Sequence, residues 1–117
     1  PHDDMIRLLH LFHARSTIIA AICGATLEVA RAGLMHGLRH TSNSKGYLKA
    51  MIPDYRDDDF YIDKLAIADK NLITASGLGS VDFACEIVRL LNIYNDEEVQ
   101  ELHEMFKHGV IPARYVI

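Results

Sequence analysis

Apolar residues recur at helical spacing near both ends of the chain. Over residues 3–14 they return every three or four positions, which predicts an amphipathic helix that Asp3 or Asp4 can cap. Residues 81–91 and 96–107 show the same period. The last of these stretches begins with acidic residues and ends with basic ones, as the helix dipole favours. The face of the 81–91 helix predicted to be buried carries Phe83, Ala84, Ile87, Val88 and Leu91.

Between these helices the pattern alternates between strand and helix. Residues 16–23 form a continuous apolar run, which predicts a strand covered on both faces, as in parallel sheets. Residues 26–34 return to helical composition and end at Gly33 and Gly37. Residues 39–42 predict a short strand, and residues 47–51 a helical turn that Pro53 stops. The order of elements favours an α/β fold.

The second half of the chain adds a hairpin and an apolar tail. Residues 60–67 and 72–75 flank the turn 68–71, which predicts two antiparallel strands. The tail, residues 110–117, is apolar enough to predict that it packs against the fold. Only three or four strands are predicted in all, which is few for an independent α/β sheet.

Length and composition bound the class of protein. The 117 residues fit one domain, and 50% hydrophobic with 24% charged residues is typical of a globular protein. A net charge of -4 with scattered Lys and Arg predicts no nucleic-acid partner. The apolar runs are shorter than the ~20 residues that span a bilayer, and no signal-peptide pattern opens the chain. These features predict a cytoplasmic protein with reduced cysteines and no membrane partner.

Cys23 is the strongest candidate for chemistry. It stands where the predicted strand meets the first turn of a helix, with small neighbours at Ala21, Gly24 and Ala25 that such a tight turn requires. Free N–H groups and the helix dipole at that point favour a thiolate, which is nucleophilic and easily oxidised. The alternative is a small buried hydrophobic residue at a strand end. Cys85 lies inside a predicted helix and is interpreted as core.

Four ordered blocks carry a family resemblance. They read AAICGAT at residues 20–26, AGL at 32–34, HTSN at 40–43 and LITASGLGSVDFA at 72–84. Together they resemble the ThiJ/PfpI superfamily of class I glutamine-amidotransferase-like proteins over residues 16–91. Several blocks in order are more specific than any one of them.

The resemblance implies a fold and an incomplete domain. It implies a flavodoxin-like three-layer sandwich with a mainly parallel sheet plus a β-hairpin, and Cys23 on a nucleophile elbow. In the family the opening strands precede the helix that begins this chain, and an acidic residue from the first strand-to-helix turn hydrogen bonds the sulfur. Residues 1–117 are therefore predicted to be a single domain, the C-terminal portion of a ThiJ/PfpI-like domain that lacks the N-terminal strands.

The base that would assist Cys23 is sought among the residues near the end of the predicted 39–42 strand. Some members of the superfamily place a histidine directly after the cysteine, where this chain has Gly24. Others place one at the end of the following strand, where Asn43 is the counterpart and His40 lies three residues earlier. Strand alternation puts His40 and Ser42 on one face and Thr41 and Asn43 on the other, so at most one pair faces Cys23. His40 is predicted as the base because imidazole titrates near neutrality; the alternative is a strand histidine bonded to backbone.

The remaining candidates form the rim of the site. Backbone N–H groups at Gly24 and Ala25 are predicted to stabilise an oxyanion. Asn43, Gly77 and Tyr55 are predicted to line a pocket, although an aromatic residue beside a hairpin usually packs in the core. His10 and His13 lie three residues apart on a predicted helix and could share a metal ion, while His36 follows the next helix. No further ligand is spaced to complete a site, so no metal and no cofactor are predicted.

Two functions follow from the resemblance. The first is a cysteine-dependent hydrolase, amidase, protease I-like or glyoxalase/deglycase-like enzyme, acting as a homodimer on a small carbonyl or amide substrate. The alternative is a noncatalytic oxidative-stress or redox-sensing protein that uses the same Cys23. A third, weaker hypothesis is an interaction module that uses the 96–107 helix and the apolar tail.

Overall fold

The computed structural model describes residues 2–116, which form a small α/β fold. The helices are α1 (His2–Ala14), α2 (Ala25–Arg31), α3 (Lys45–Met51), α4 (Ser80–Leu90) and α5 (Asp96–His108). The strands are β1 (Ile19–Ile22), β2 (Ala66–Asp69) and β3 (Leu72–Ala75), and single 3-10 turns occupy Asp58–Phe60 and Ala113–Tyr115. The predicted α/β class and all of the predicted helices are confirmed.

The sheet has the order β1-β3-β2. β1 runs parallel to β3 in the register Ile19 with Leu72 and Ile22 with Ala75, and β2 pairs with β3 as an antiparallel hairpin. The hairpin turn is two residues long, and Lys70 adopts the left-handed φ of 52° that such a turn requires. The predicted hairpin is confirmed, but β2 begins only at Ala66 and residues 60–65 are not a strand.

Residues 39–42 do not form the predicted strand. Only His40 makes a ladder contact, an isolated parallel bridge with Tyr61. The next residue explains why pairing does not extend: the Thr41 N–H donates to the side-chain oxygen of Thr74 at 2.9 Å. A backbone donor used in this way cannot continue a ladder, so the segment is extended but irregular.

The core lies between one face of the sheet and the first three helices. Its buried members are Leu9, Ala21, Leu27, Val29, Ala32, Leu34, Met35, Leu48, Ile52, Tyr55 and Leu72. β1 is an edge strand of the described sheet and its Ala20 is exposed, so the prediction that this strand is fully covered does not hold within residues 2–116. Helix α1 likewise leaves apolar side chains exposed: Met5, Leu8, Leu11 and Phe12.

α4 packs against β2, β3 and α5. Its buried residue is Cys85, whereas Ala84 and Leu91, which the sequence predicted to be buried, are exposed. Asp82 joins α4 to α5 by accepting hydrogen bonds from His103 and Lys107. Burial raises the pKa of Asp82, but these two hydrogen bonds outweigh it and hold that pKa below its ordinary value.

The C-terminal tail was predicted to pack, and this prediction is wrong for its described part. Val110, Ile111 and Val116 are 53%, 60% and 65% exposed. Apolar composition alone therefore does not bury this segment, although Arg114 pairs with Glu101 of α5 at 2.9 Å. No helix among the described residues is long and apolar enough to cross a membrane.

Candidate active site

The chain bends sharply at Cys23, forming an elbow between the end of β1 and the start of α2. Cys23 has φ 58°, in the left-handed region that residues other than glycine rarely adopt. Its N–H donates to the Ala75 carbonyl at 3.0 Å, continuing the pairing of β1 with β3. Its carbonyl accepts from the N–H and the hydroxyl of Thr26, at 3.2 and 2.6 Å. The strained backbone is thus fixed from both sides.

A buried hydroxyl pair supports this bend from below. The hydroxyl oxygens of Thr26 and Ser42 lie 2.7 Å apart, and both residues are buried. Because the Thr26 hydroxyl donates to the carbonyl of Cys23, Ser42 must donate to Thr26. The segment after α2 is therefore tied to the elbow through Ser42.

Asn43 is the side chain that reaches the sulfur. Its Nδ2 lies 3.5 Å from the Cys23 Sγ, and its Oδ1 accepts the Gly77 N–H at 2.9 Å. The second bond fixes the orientation of the amide, because a backbone N–H can only donate and so must meet the oxygen. The NH2 group is thus directed at the sulfur. An amide can stabilise negative charge there, but it cannot remove a proton.

Gly77 forms the wall opposite the elbow. A Cβ built on Gly77 would lie 3.1 Å from the Cys23 Sγ and 3.4 Å from the Asn43 Oδ1. The absence of a side chain thus lets the β3–α4 turn approach the thiol closely. Gly79 permits the same turn in another way, since a Cβ there would lie 2.4 Å from the carbonyl oxygen of Leu65.

Backbone donors and an aromatic hydroxyl complete the rim. Gly24 and Ala25 are exposed at the start of α2, and no described side chain caps this helix. Tyr47, which the sequence analysis did not consider, places its hydroxyl 3.9 Å from the position that a Cβ on Gly24 would take. The sequence feature that could have indicated Tyr47 is the N-cap residue Ser44. Its Oγ accepts the Tyr47 N–H at 2.9 Å and so fixes the start of α3.

His40, predicted as the base, is not directed at Cys23. It is fully buried, and its Nδ1 donates to the Leu38 carbonyl at 2.8 Å. Nε2 then carries no proton and accepts from the Tyr55 hydroxyl at 2.6 Å. Burial lowers the pKa of His40 by more than its bond to Leu38 and the charge of Asp57 raise it. A neutral histidine with both nitrogens occupied is a structural residue in this geometry.

Tyr55 was predicted to line a pocket, and it lies in the core instead. It is 7% exposed, and its ring meets the imidazole of His40 edge to face at 5.7 Å. Burial, followed by the nearby charge of Asp57, raises the pKa of Tyr55 well above its ordinary value, so the phenol stays protonated and donates to His40. Of the residues predicted around Cys23, the structure brings Gly24, Ala25, Asn43 and Gly77 together and places His40 and Tyr55 beneath them.

The second cysteine has the opposite surroundings. Cys23 is exposed, whereas Cys85 is 6% exposed in α4 and burial raises the pKa of its thiol. A protonated and covered thiol is a poor nucleophile.

Two sequence relatives of this chain carry the name uncharacterized protease. The chain is 37% identical over 91 residues to the uncharacterized protease YoaZ of Bacillus subtilis, covering 78% of this chain and 43% of that protein. It is 31% identical over 110 residues to the uncharacterized protease YdeA of the same organism, covering 92% of this chain and 55% of YdeA. The chain thus spans about half the length of the curated relatives it matches.

Solved structures and a family model agree with these relatives. The thiJ/pfpI family protein from Bacillus anthracis superposes with a TM-score of 0.88 at 31% identity, covering 93% of this chain and 51% of that one. The flavodoxin-like architecture is therefore shared, over about half of its length. The model of the DJ-1/PfpI family matches residues 2–90, which hold β1, the elbow, Asn43 and Gly77. The chain belongs to the DJ-1/PfpI family.

Proposed function

We propose that Cys23 is the nucleophile of a cysteine-dependent hydrolase or glyoxalase/deglycase-like enzyme that acts on a small carbonyl or amide compound. The observation that carries this proposal is the left-handed, exposed Cys23 with the Asn43 amide 3.5 Å from its sulfur. Membership of a family whose relatives include proteins named proteases supports hydrolytic chemistry. Because the chain spans about half of those relatives, the activity is proposed for the whole protein.

The geometry suggests how bond formation would proceed. The Cys23 thiolate attacks the carbonyl carbon, and the carbonyl oxygen becomes negatively charged. Gly24 and Ala25 are exposed at the start of α2, and their N–H groups, with the Nδ2 of Asn43, are the donors that would stabilise that charge. With an amide substrate the C–N bond then breaks and the leaving amine takes a proton from solvent. Water then hydrolyses the thioester, which releases a carboxylic acid and restores the cysteine thiol.

Proton transfer sets a condition on this chemistry. Within residues 2–116, the Cys23 sulfur hydrogen bonds to Asn43 and to no ionisable side chain. The described side chain at the sulfur is therefore a hydrogen-bond donor and not a base, so in the proposed reaction the thiol proton leaves to solvent before attack.

Two matched cysteine variants test the enzyme. Turnover of methylglyoxal, of glycated amines and of simple amides is measured for Cys23→Ser and for Cys85→Ser. Cys23→Ser is expected to abolish turnover of whichever substrate is used, because a serine hydroxyl without a base is a weak nucleophile. Cys85→Ser is the control for thiol loss as such. Turnover that survives Cys23→Ser, or no turnover of any of these compounds, would contradict the proposal.

The second candidate function is redox sensing by the same thiol. The exposed sulfur beside a non-titrating amide favours it, because such a donor stabilises an oxidised, negatively charged sulfur without taking part in acid–base chemistry. Intact-mass and peptide mass spectrometry after mild peroxide would find one sulfinate at Cys23. If Cys85 reacts while Cys23 stays a thiol, the sensor is excluded.

A further inference from the structure

A second group of chemically active side chains lies at the end of α5, outside the Cys23 site. His103, Glu104 and His108 each offer one ligand atom, and these atoms all lie within 4.8 Å of one another. Glu104 and His108 are four residues apart and so share a helix face. The ligand atoms of a tetrahedral ion, each ~2.0–2.1 Å from it, lie about 3.4 Å apart, so small side-chain rotations would bring the three together.

His103 is oriented by a carboxylate on another helix. Its Nε2 lies 2.9 Å from the Oδ1 of Asp82 on α4. A proton on Nε2 satisfies this contact and leaves Nδ1 unprotonated, with its lone pair available as a ligand. Metal-binding histidines regularly donate their other ring nitrogen to a carboxylate in this way, which fixes the tautomer and strengthens the ligand.

The charges around the cluster are compatible with a cation. Lys107 is the nearby positive side chain, and its Nζ pairs with the other oxygen of Asp82, which compensates its charge. Glu104 brings one negative charge, and Gln100 donates to its Oε1 at 3.3 Å, which leaves Oε2 for an ion. The cluster also occupies the last two turns of α5, before the left-handed Gly109, where the helix dipole favours positive charge.

We propose that His103, Glu104 and His108 bind a divalent transition-metal ion, Zn²⁺ by preference, with Asp82 holding His103 from α4. Two imidazoles and one carboxylate are ligands that suit Zn²⁺, and three protein ligands leave a coordination position for water. All three ligands lie beyond residues 2–90, the part that the family model matches. The ion would stabilise the end of α5 and, through the hydrogen bond between His103 and Asp82, its packing against α4.

The test uses tag-free protein carrying Cys23→Ser, so that the exposed thiol cannot supply a ligand. Zn²⁺ binding is measured by competition with a chromophoric chelator, and Co²⁺ is used as a spectroscopic probe. One ion per chain is expected, with a visible Co²⁺ spectrum that lacks sulfur-to-cobalt charge transfer. His103→Ala and His108→Ala should each weaken binding tenfold or more, and Asp82→Asn by about 10–100-fold, the range seen for partners of ligands.

His10→Ala is the matched control, because His10 is an exposed histidine on another helix. It should leave the affinity for Zn²⁺ within twofold. Circular dichroism separates loss of ligands from loss of fold; His108, exposed in the last turn of α5, is the substitution expected to perturb folding least. Absence of Zn²⁺ binding by the parent protein, or binding that persists unchanged in folded His108→Ala and His103→Ala, would overturn the proposal.

Discussion

One short segment, residues 40–43, supplies both a side chain that meets the elbow and the layer directly beneath it, and its two ends have opposite properties. At its end, Asn43 is exposed and its amide meets the Cys23 sulfur at 3.5 Å. At its beginning, His40 is sealed in the core with both nitrogens bonded. Between them Ser42 is buried and supports the elbow through Thr26. The more basic side chain is therefore the one withheld from the thiol.

The difference shows how a titratable residue becomes structural. Burial of an imidazole favours its neutral form, and a carbonyl on one nitrogen with a phenol on the other uses all of its hydrogen-bonding capacity. An exposed amide loses less of its contact with water than a buried imidazole does, and one of its two N–H donors remains free. Within residues 2–116, the side chain that meets the Cys23 sulfur is therefore one that does not titrate near neutrality.

The largest effect is expected from Gly77→Ala. Its Cβ would lie 3.1 Å from the Cys23 Sγ, so the sulfur and the Asn43 amide must shift apart. We expect turnover, or alkylation of Cys23 by iodoacetamide, to fall about 10–100-fold, because small displacements of reacting groups are costly. Gly46→Ala is the matched control, since the nearest atom to its Cβ lies at 3.9 Å. Equal rates in the two variants would show that the close approach of Gly77 is unimportant.

A smaller loss is expected from Asn43→Ala. The change removes the donor to the sulfur and the acceptor of the Gly77 N–H, so alkylation of Cys23 at pH 7 should slow by about tenfold, the value of one hydrogen bond to a charged group. Asn71→Ala serves as control, because Asn71 is an exposed asparagine that bonds to the Ser16 carbonyl, away from the elbow. A rate unchanged by Asn43→Ala would remove Asn43 from the site.

His40→Gln should separate stability from reactivity. Loss of the imidazole leaves a buried partner, the Tyr55 hydroxyl or the Leu38 carbonyl, without its hydrogen bond, which costs about 1–3 kcal/mol. Urea unfolding should detect that loss. In the folded variant the alkylation rate of Cys23 should stay within twofold. A loss of reactivity comparable to that of Asn43→Ala would restore His40 as the base.

The sequence was sufficient for the elements whose signals are local. Helix α1 follows from its apolar period, and the bend at Cys23 from the small residues around it. Asn43 and Gly77 were predicted to line a pocket, and the structure places both against the Cys23 sulfur, at one end of the sheet.

Predictions that needed tertiary information went wrong. Strand alternation correctly separates the His40 side chain from that of Asn43, but it cannot say which of the two faces meets the sulfur. In addition, Thr74 interrupts the β-ladder that would make residues 39–42 a regular strand. The group of His103, Glu104 and His108 was missed because its spacing matches no common ligand motif and its support, Asp82, comes from another helix. Both depend on contacts between elements distant in sequence.

The smallest expected effect is the contribution of His40 to the pH dependence of the free energy of unfolding. Its folded pKa lies below the ordinary 6.5, mainly because of burial, and Asp57 opposes this shift only in part. Above pH 6.5 the imidazole is neutral in both states. As the pH falls below 6.5 the unfolded chain binds a proton that the folded chain does not, so the free energy of unfolding decreases until the folded pKa is reached.

Urea midpoints at pH 7.5 and 5.5 should therefore differ more in the parent protein than in His40→Gln, which retains every other titrating group. An equal difference in both proteins would mean that His40 accepts its proton inside the fold, and the layer beneath the elbow would then be open to water rather than sealed.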